Sequence, residues 1–343
     1  MVVSKVPEDL HMENYYQKAL DLRISYSWDN KEWARRTGLR QDLLQAVEAG
    51  TAPEDKDLLS MLLEKTKQGK NRDTSSLKRF ARPNIIAVAL HKGGCGKTTV
   101  TLNLAGSLAA MGYNVLVIDS DSQMDATSGL IGKREDLDRD LFNTLSDGGD
   151  IRDQIRQTSY PRLDLVPSGL RMATAESMLA LRAQQDPDAL LVFKNSIRQL
   201  VADNYYDFVF VDMDKTIGKL NETILNGCTH LLMVAECALF HLKGISVMTD
   251  QYERVRSSGN PELKLLGVIL NKVPPKKDSV RVVNDVLDDL HPGLRFLSSI
   301  REDASVVKSQ WDQMLLGELS HRSRIYREME AVTKEFLTRI DTI

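Results

Sequence analysis

The chain has 343 residues, 42% of them hydrophobic and 27% charged, with a formal net charge of -3. That is enough chain for two domains and a large core, and the near-neutral balance excludes a polycation, so any nucleic-acid contact needs local basic patches. Three scattered cysteines, Cys95, Cys228 and Cys237, are too few for a disulfide framework or a zinc cluster and fit a reducing cytoplasm; there is no signal-peptide core and no apolar run of about 18 residues.

Residues 1–64 read as a small all-α domain. Apolar residues recur at helical spacing in Tyr15–Leu22, Trp33–Val47 and Leu58–Leu63, without strand-like alternation. In NKEWARRTGLRQDLLQAVEAG (30–50), Ala34, Gly38, Leu44 and Val47 meet the needs of a helix-turn-helix: a small residue where two helices cross, a glycine in the turn, and apolar residues on the inner face of the second helix. The outward positions of that helix are Arg40, Gln41, Asp42, Gln45 and Ala46. Arginine and glutamine suit base edges, so Arg40, Gln41 and Gln45 are candidate DNA contacts. An ordinary helical hairpin used for dimerisation fits the same pattern. Residues 65–83 then hold seven basic residues against the single acid Asp73 and read as a solvated linker ending at Pro83.

From Asn84 short apolar runs alternate with helical stretches. The runs fall at 85–90, 115–119, 163–167, 207–212, 231–236, 265–271 and 295–300. They predict an α/β domain over 84–343, a mostly parallel twisted sheet flanked by helices. The last helix, expected from 322 to about 340, is amphipathic. It either packs on the sheet or lies on a membrane, and the lack of clustered basic residues with bulky aromatics favours packing.

HKGGCGKTT (91–99) follows the first expected strand and opens a helix, the context of a phosphate-binding loop. Gly93, Gly94 and Gly96 let the main chain around Cys95 curl so that N–H groups point inward, and the helix start adds its positive dipole end. Lys97 can reach β- and γ-phosphates, Thr98 can ligand Mg²⁺, and Thr99 can touch an α-phosphate. Farther on, VLVIDSDSQMDATSG (115–129) carries Asp119 and Asp121 at a strand end, and YDFVFVD (206–212) ends in Asp212, an acid placed to hold a water on Mg²⁺.

Lys92 at the head of the loop completes K-G-G-x-G-K-T-T. This resembles the deviant Walker A signature of the ParA, MinD and nitrogenase iron-protein ATPases, and the resemblance runs from about Asn84 to the C-terminus. It implies a P-loop ATPase that takes ATP and Mg²⁺. It further implies that Lys92 reaches across a nucleotide-sandwich homodimer to the partner's phosphates, much as an arginine finger does. By the same resemblance Asp119 sits near Mg²⁺ with Thr98 and Asp212, and Asp121 positions the attacking water. Lys92, Lys97 and Asp121 are then the catalytic set. NKVPP, beginning at Asn271, resembles the segment that lines the adenine. SSIREDASVVKSQ (298–310) resembles I-R-x-D-x-x-x-x-E-A, with Arg301 and Asp303 matching.

The chain departs from the pattern in two places. Ser122, Met124 and Asp125 stand where proline, glycine and asparagine are common. MDKTIG (213–218) puts Asp214 and Lys215 where two prolines usually stand; this pair either alters hydrolysis or forms a local salt bridge. ParA-like dimers bind DNA without sequence preference through basic residues late in the fold, and the matching candidates here are Lys276, Lys277, Arg281, Arg301 and Lys308. The expected function is therefore a partition ATPase that dimerises on ATP, coats nucleoid DNA and is stimulated by a ParB-like centromere-binding protein. Its front domain would repress its own operon, as in some plasmid ParA proteins. An ATP-switched transcriptional regulator and a MinD-like positioning ATPase are the alternatives. An iron–sulfur reductase is set aside, because only Cys228 is loosely placed for a cluster.

Overall fold

The computed structural model describes residues 9–26, 33, 37, 39, 41–51, 62, 63, 66, 80–132, 137, 139–275, 277–319 and 323–342. The front region contains helices α1 (Asp9–Ser25) and α2 (Gln41–Glu48). Leu44 and Val47 face inward as expected, buried with Ala19, Trp33, Leu39, Leu62 and Leu63. Arg23 of α1 pairs with Glu48 of α2 at 2.8 Å and lies over the Trp33 ring. Both ends of the expected linker are packed. Thr66 is buried and accepts the Trp33 indole N–H at 2.9 Å. Phe80 meets Phe208 edge-on, with 5.2 Å between ring centroids. Tyr205 of the following domain packs against the front cluster.

The α/β domain begins with β1 (Asn84–Ala89), α3 (Lys97–Met111), β2 (Val115–Asp119), α4 (Asp125–Ile131) and α5 (Leu141–Asp147). Then come β3 (Arg156–Gln157), β4 (Leu163–Val166), α6 (Ala175–Gln185), α7 (Val192–Ser196), α8 (Arg198–Asp203), β5 (Phe208–Asp212), α9 (Lys219–Gly227) and β6 (His230–Glu236). It ends with α10 (Leu239–Ser258), β7 (Lys264–Asn271), α11 (Lys277–Leu290), α12 (Ala304–Trp311), α13 (Leu316–Leu319) and α14 (Arg324–Thr342). The strands lie in the order β3-β4-β2-β5-β1-β6-β7, all parallel except the short β3, which runs antiparallel to β4.

Alternation along each strand divides the core between the two faces of the sheet. Ile85, Ala87 and Ala89 join one cluster with α9, α10 and α11; Ile86 and Val88 join the other with α3 and α14. Helices on both faces explain why the strands read as unbroken apolar runs. The apolar stripe of α14, from Ile325 through Met329, Val332 and Phe336 to Ile340, is buried in this second cluster, so the C-terminal helix packs on the sheet.

One expected strand is corrected. Residues 295–300 run beside β7 without forming a continuous strand: Val268 bridges to Arg295, and the N–H groups of Phe296 and Ile300 reach the carbonyls of Val268 and Leu270, each at 2.9 Å. The reason is local. Glu335 of α14 accepts the backbone N–H groups of Leu297 and Ser298 at 2.9 and 2.7 Å, which lifts the middle of the segment away from the sheet edge.

Candidate nucleotide-binding site

The strand order sets the site. β1 lies between β5 and β6, where chain connections leave in opposite directions, and ligands bind outside the carboxyl ends of strands at such a point. The loop from His91 to Gly96 leaves the end of β1 there. Gly94 and Gly96 have φ of 76° and 90°, left-handed values that a side chain would strain. A Cβ at Gly96 would also collide with the side-chain amide of Asn271. Helix α3 starts at Lys97 with no side chain capping its first N–H groups, so these are aimed into the loop as anion donors.

Side chains from three strand ends converge on the loop. Register places Asp119 of β2 directly beside Asp212 of β5. The Thr98 hydroxyl donates to Asp212 at 2.6 Å, and the Thr101 hydroxyl reaches its other oxygen at 3.4 Å. Both carboxylates are almost fully enclosed. Burial raises the pKa of each, and the charge of Asp119 raises that of Asp212 further. A hydroxyl beside a carboxylate is a donor set that Mg²⁺ takes together with nucleotide phosphates and water. The excess negative charge of two neighbouring buried acids is what a divalent cation offsets, so Thr98 and Asp212 fit Mg²⁺.

Asp119 has a more specific task than proximity to the metal. One of its oxygens accepts both the N–H and the hydroxyl of Thr127, at 2.8 and 2.7 Å; the other accepts the N–H of Asp121 at 3.1 Å. It is the hub that folds residues 120–127. Asp121 is thereby held on that loop, half-buried, with the N–H of Gln123 on one oxygen at 2.9 Å. Burial raises its pKa, Asp214 raises it further, and Lys97 opposes both.

Lys97 is nearly enclosed, and its ammonium donates to the Lys92 carbonyl at 3.4 Å. The Lys92 side chain is exposed at the mouth of the loop. Neither lysine forms an ion pair among the described residues, which leaves both charges for a ligand. The Cys95 thiol is buried and turns back to the same Lys92 carbonyl. Thr99 has a partner that sequence reasoning missed, Gln310 of α12, whose amide donates to its hydroxyl at 2.9 Å. Asn271 donates its amide to the Cys95 carbonyl at 2.8 Å. Here it braces the loop, a role distinct from the base contact expected of it. Thr127 was also missed, although it lies inside the motif that contains Asp119 and Asp121.

Arg281 and Arg301 line a shared cavity of about 480 Å³ between α11 and the segment after β7. Arg301 is tied to Glu328 at 2.6 Å, and Arg281 lies 3.6 Å from Asp285. Lys308 is exposed on α12 beside the phosphate loop. Gln45 is exposed on α2. Arg40 and Lys276, with the side chains of Gln41 and Lys277, lie outside the described residues, as do Ala34 and Gly38 of the expected helix-turn-helix.

Comparison with known proteins agrees with this geometry. A family model described as "AAA domain" matches residues 83–265. The sporulation initiation inhibitor protein Soj of Bacillus subtilis is 30% identical over 203 residues, 59% of this chain and 78% of that protein. The chromosome partitioning protein ParA of Caulobacter vibrioides is 29% identical over 203 residues, 59% of this chain and 74% of that one. In fold, the chain is similar to the ATP complex of a Cyanothece McdA variant, with a TM-score of 0.66 and 22% identity, covering 76% of this chain and 96% of that one. The family match spans more than half of the chain and includes the loop and strand ends described above, and Soj, 30% identical, is matched over 78% of its length; on that basis the protein belongs to the ParA/MinD-type P-loop ATPases.

Proposed function

We propose that the protein is a partition-type ATPase whose cycle runs on nucleotide-dependent dimerisation. In this reading the phosphate loop and the start of α3 grip the triphosphate, and Lys97 neutralises its β- and γ-phosphates. Asp121 orients a water for in-line attack on the terminal phosphate. Thr98 and Asp212 hold Mg²⁺, which when bound supplies positive charge to the phosphate oxygens. In the same reading Asn271, which braces the loop, also meets the base. Lys92 crosses to the triphosphate of a second copy, so hydrolysis needs two protomers. The observation that carries this reading is Lys92, exposed at the loop mouth with no ion pair among the described residues.

The ATP dimer would then bind nucleoid DNA, with Lys308 and Arg281 as exposed cations and the front domain as a separate specific reader. A ParB-like partner would stimulate hydrolysis and release. Differential affinity of the two nucleotide states for DNA gives such a cycle its direction. Gel-shift titrations on random-sequence DNA, with MgATP and with MgADP, test the motor reading. ATP-dependent binding supports it, and binding of equal strength with either nucleotide opposes it. Deletion of residues 1–64 should spare that binding and remove footprints on upstream DNA. Footprints that survive the deletion would reassign the front domain to dimerisation or protein contact.

A further inference from the structure

The loop after β5 carries Asp214 and Lys215, and its conformation is fixed from several sides. The Asp214 carboxylate accepts the N–H of Lys215 at 2.5 Å and the hydroxyl of Thr216 at 3.1 Å. The buried Asn221 of α9 donates to the carbonyls of Asp214 and Thr216. His91, the first residue of the phosphate loop segment, joins the two loops. Its Nδ1 lies 3.2 Å from the Lys215 carbonyl, and its Nε2 meets the amide of Gln251 in α10 at 2.8 Å. Both contacts are to oxygen atoms, the Lys215 carbonyl and Gln251 Oε1, so a neutral ring donates to one of them and the other is met once the Gln251 amide is turned to present its nitrogen. The main chain of Lys215 is therefore pinned to the phosphate loop.

Its side chain follows. The Lys215 stem crosses Gly93, where a Cβ would stand 3.6 Å from Lys215 Cδ. Lys215 is exposed and makes no ion pair among the described residues, with Asp214 or with any other acid. Asp214 spends its carboxylate on the turn instead. The loop is thus polarised. Its negative residue is turned back onto its own loop and its positive residue lies over the phosphate loop.

We propose that Lys215 is a third phosphate-contacting lysine, supplied by the same protomer as the loop, which binds the terminal phosphate of a nucleoside triphosphate and so separates triphosphate from diphosphate. The proposal rests on the nucleotide-site reading above. The terminal phosphate is the one assigned, because the Lys215 stem crosses the head of the loop at Gly93 and its own strand ends in Asp212, the acid that with Thr98 would hold Mg²⁺ between the β- and γ-phosphates.

The test is equilibrium binding of AMPPNP and of ADP, each with Mg²⁺, to the full-length protein and its Lys215→Met and Lys215→Arg variants. Lys215 is exposed, so neither change disturbs the core. Loss of one charge-assisted contact should weaken AMPPNP about tenfold in Lys215→Met. ADP affinity should stay within about twofold, and Lys215→Arg should restore most of the loss. The same split should persist in a Lys92→Ala background, where no partner lysine contributes. Equal effects on both nucleotides, or none on either, would overturn the role of Lys215 while leaving the site intact. A wild-type protein that binds neither nucleotide would overturn the site reading itself, and this proposal with it.

Discussion

The side-chain amide of Asn271, the last residue of β7, donates to the main-chain carbonyl of Cys95 2.8 Å away in the middle of the phosphate loop. The contact explains why position 96 is glycine, since any Cβ there would strike the same amide. It also separates two roles for Asn271. If it shapes the loop, Asn271→Ala should weaken ATP and GTP by the same factor. The orphaned carbonyl should also cost about 1 kcal/mol of stability. A base contact would instead weaken ATP alone and narrow the preference for ATP over GTP. Paired titrations with the two nucleotides distinguish these outcomes.

A second prediction concerns Asp212. It is buried beside Asp119 in neighbouring register, and the two carboxylates repel each other in a poorly solvated setting. Asp212→Asn keeps an acceptor for the Thr98 hydroxyl while removing one charge. The nucleotide-free protein should therefore melt at a higher temperature than wild type. Nucleotide affinity measured in EDTA should change little, and the tightening produced by added Mg²⁺ should largely disappear. A lower melting temperature together with full Mg²⁺ dependence would show that the acid has no metal-holding role.

His230 gives the fold a defined response to acid. It is buried in β6, its Nδ1 2.8 Å from the Thr229 hydroxyl, and it sits opposite Lys264 of β7. Burial first, and then the charge of Lys264, lower its pKa to about 4. The sign follows from linkage. Below pH of about 6.5 the unfolded chain takes up a proton that the folded chain refuses until pH falls to about 4. Stability attributable to His230 is thus intact above the unfolded pKa and is lost progressively through that window, by about 3 kcal/mol in total. Denaturant unfolding from pH 7 to pH 4.5 should show a shallower decline for His230→Gln than for wild type. Parallel slopes would mean that His230 takes up its proton equally in both states.

The sequence made the phosphate loop, the acids at the strand ends and the parallel sheet legible, because each depends on local order: a strand, a glycine-rich turn, then a helix. What escaped it depends on distant contacts. Residues 295–300 read as an edge strand, and it is Glu335, far along the chain, that withdraws the N–H groups of Leu297 and Ser298 from the sheet. Arg301 reads as a free cation until Glu328 of α14 is found against it. Asn271 was placed near the nucleotide by its motif, but which atom it holds depends on the approach of β7 to a loop 176 residues earlier. Lys215 stood out as a departure from a pattern. Its position over Gly93 is a product of packing among β1, β5 and α10 that spacing along the chain does not encode.

The central claim is that two copies close on ATP, each offering Lys92 to its partner's triphosphate. Sedimentation velocity of the Asp121→Ala protein, in which bound ATP should persist, tests it most directly. With saturating MgATP the account predicts a dimer. With MgADP, or in the Lys92→Ala, Asp121→Ala double variant with MgATP, it predicts a monomer. A single-variant protein that stays monomeric under saturating MgATP, or a double variant that dimerises as well as the single one, would contradict it.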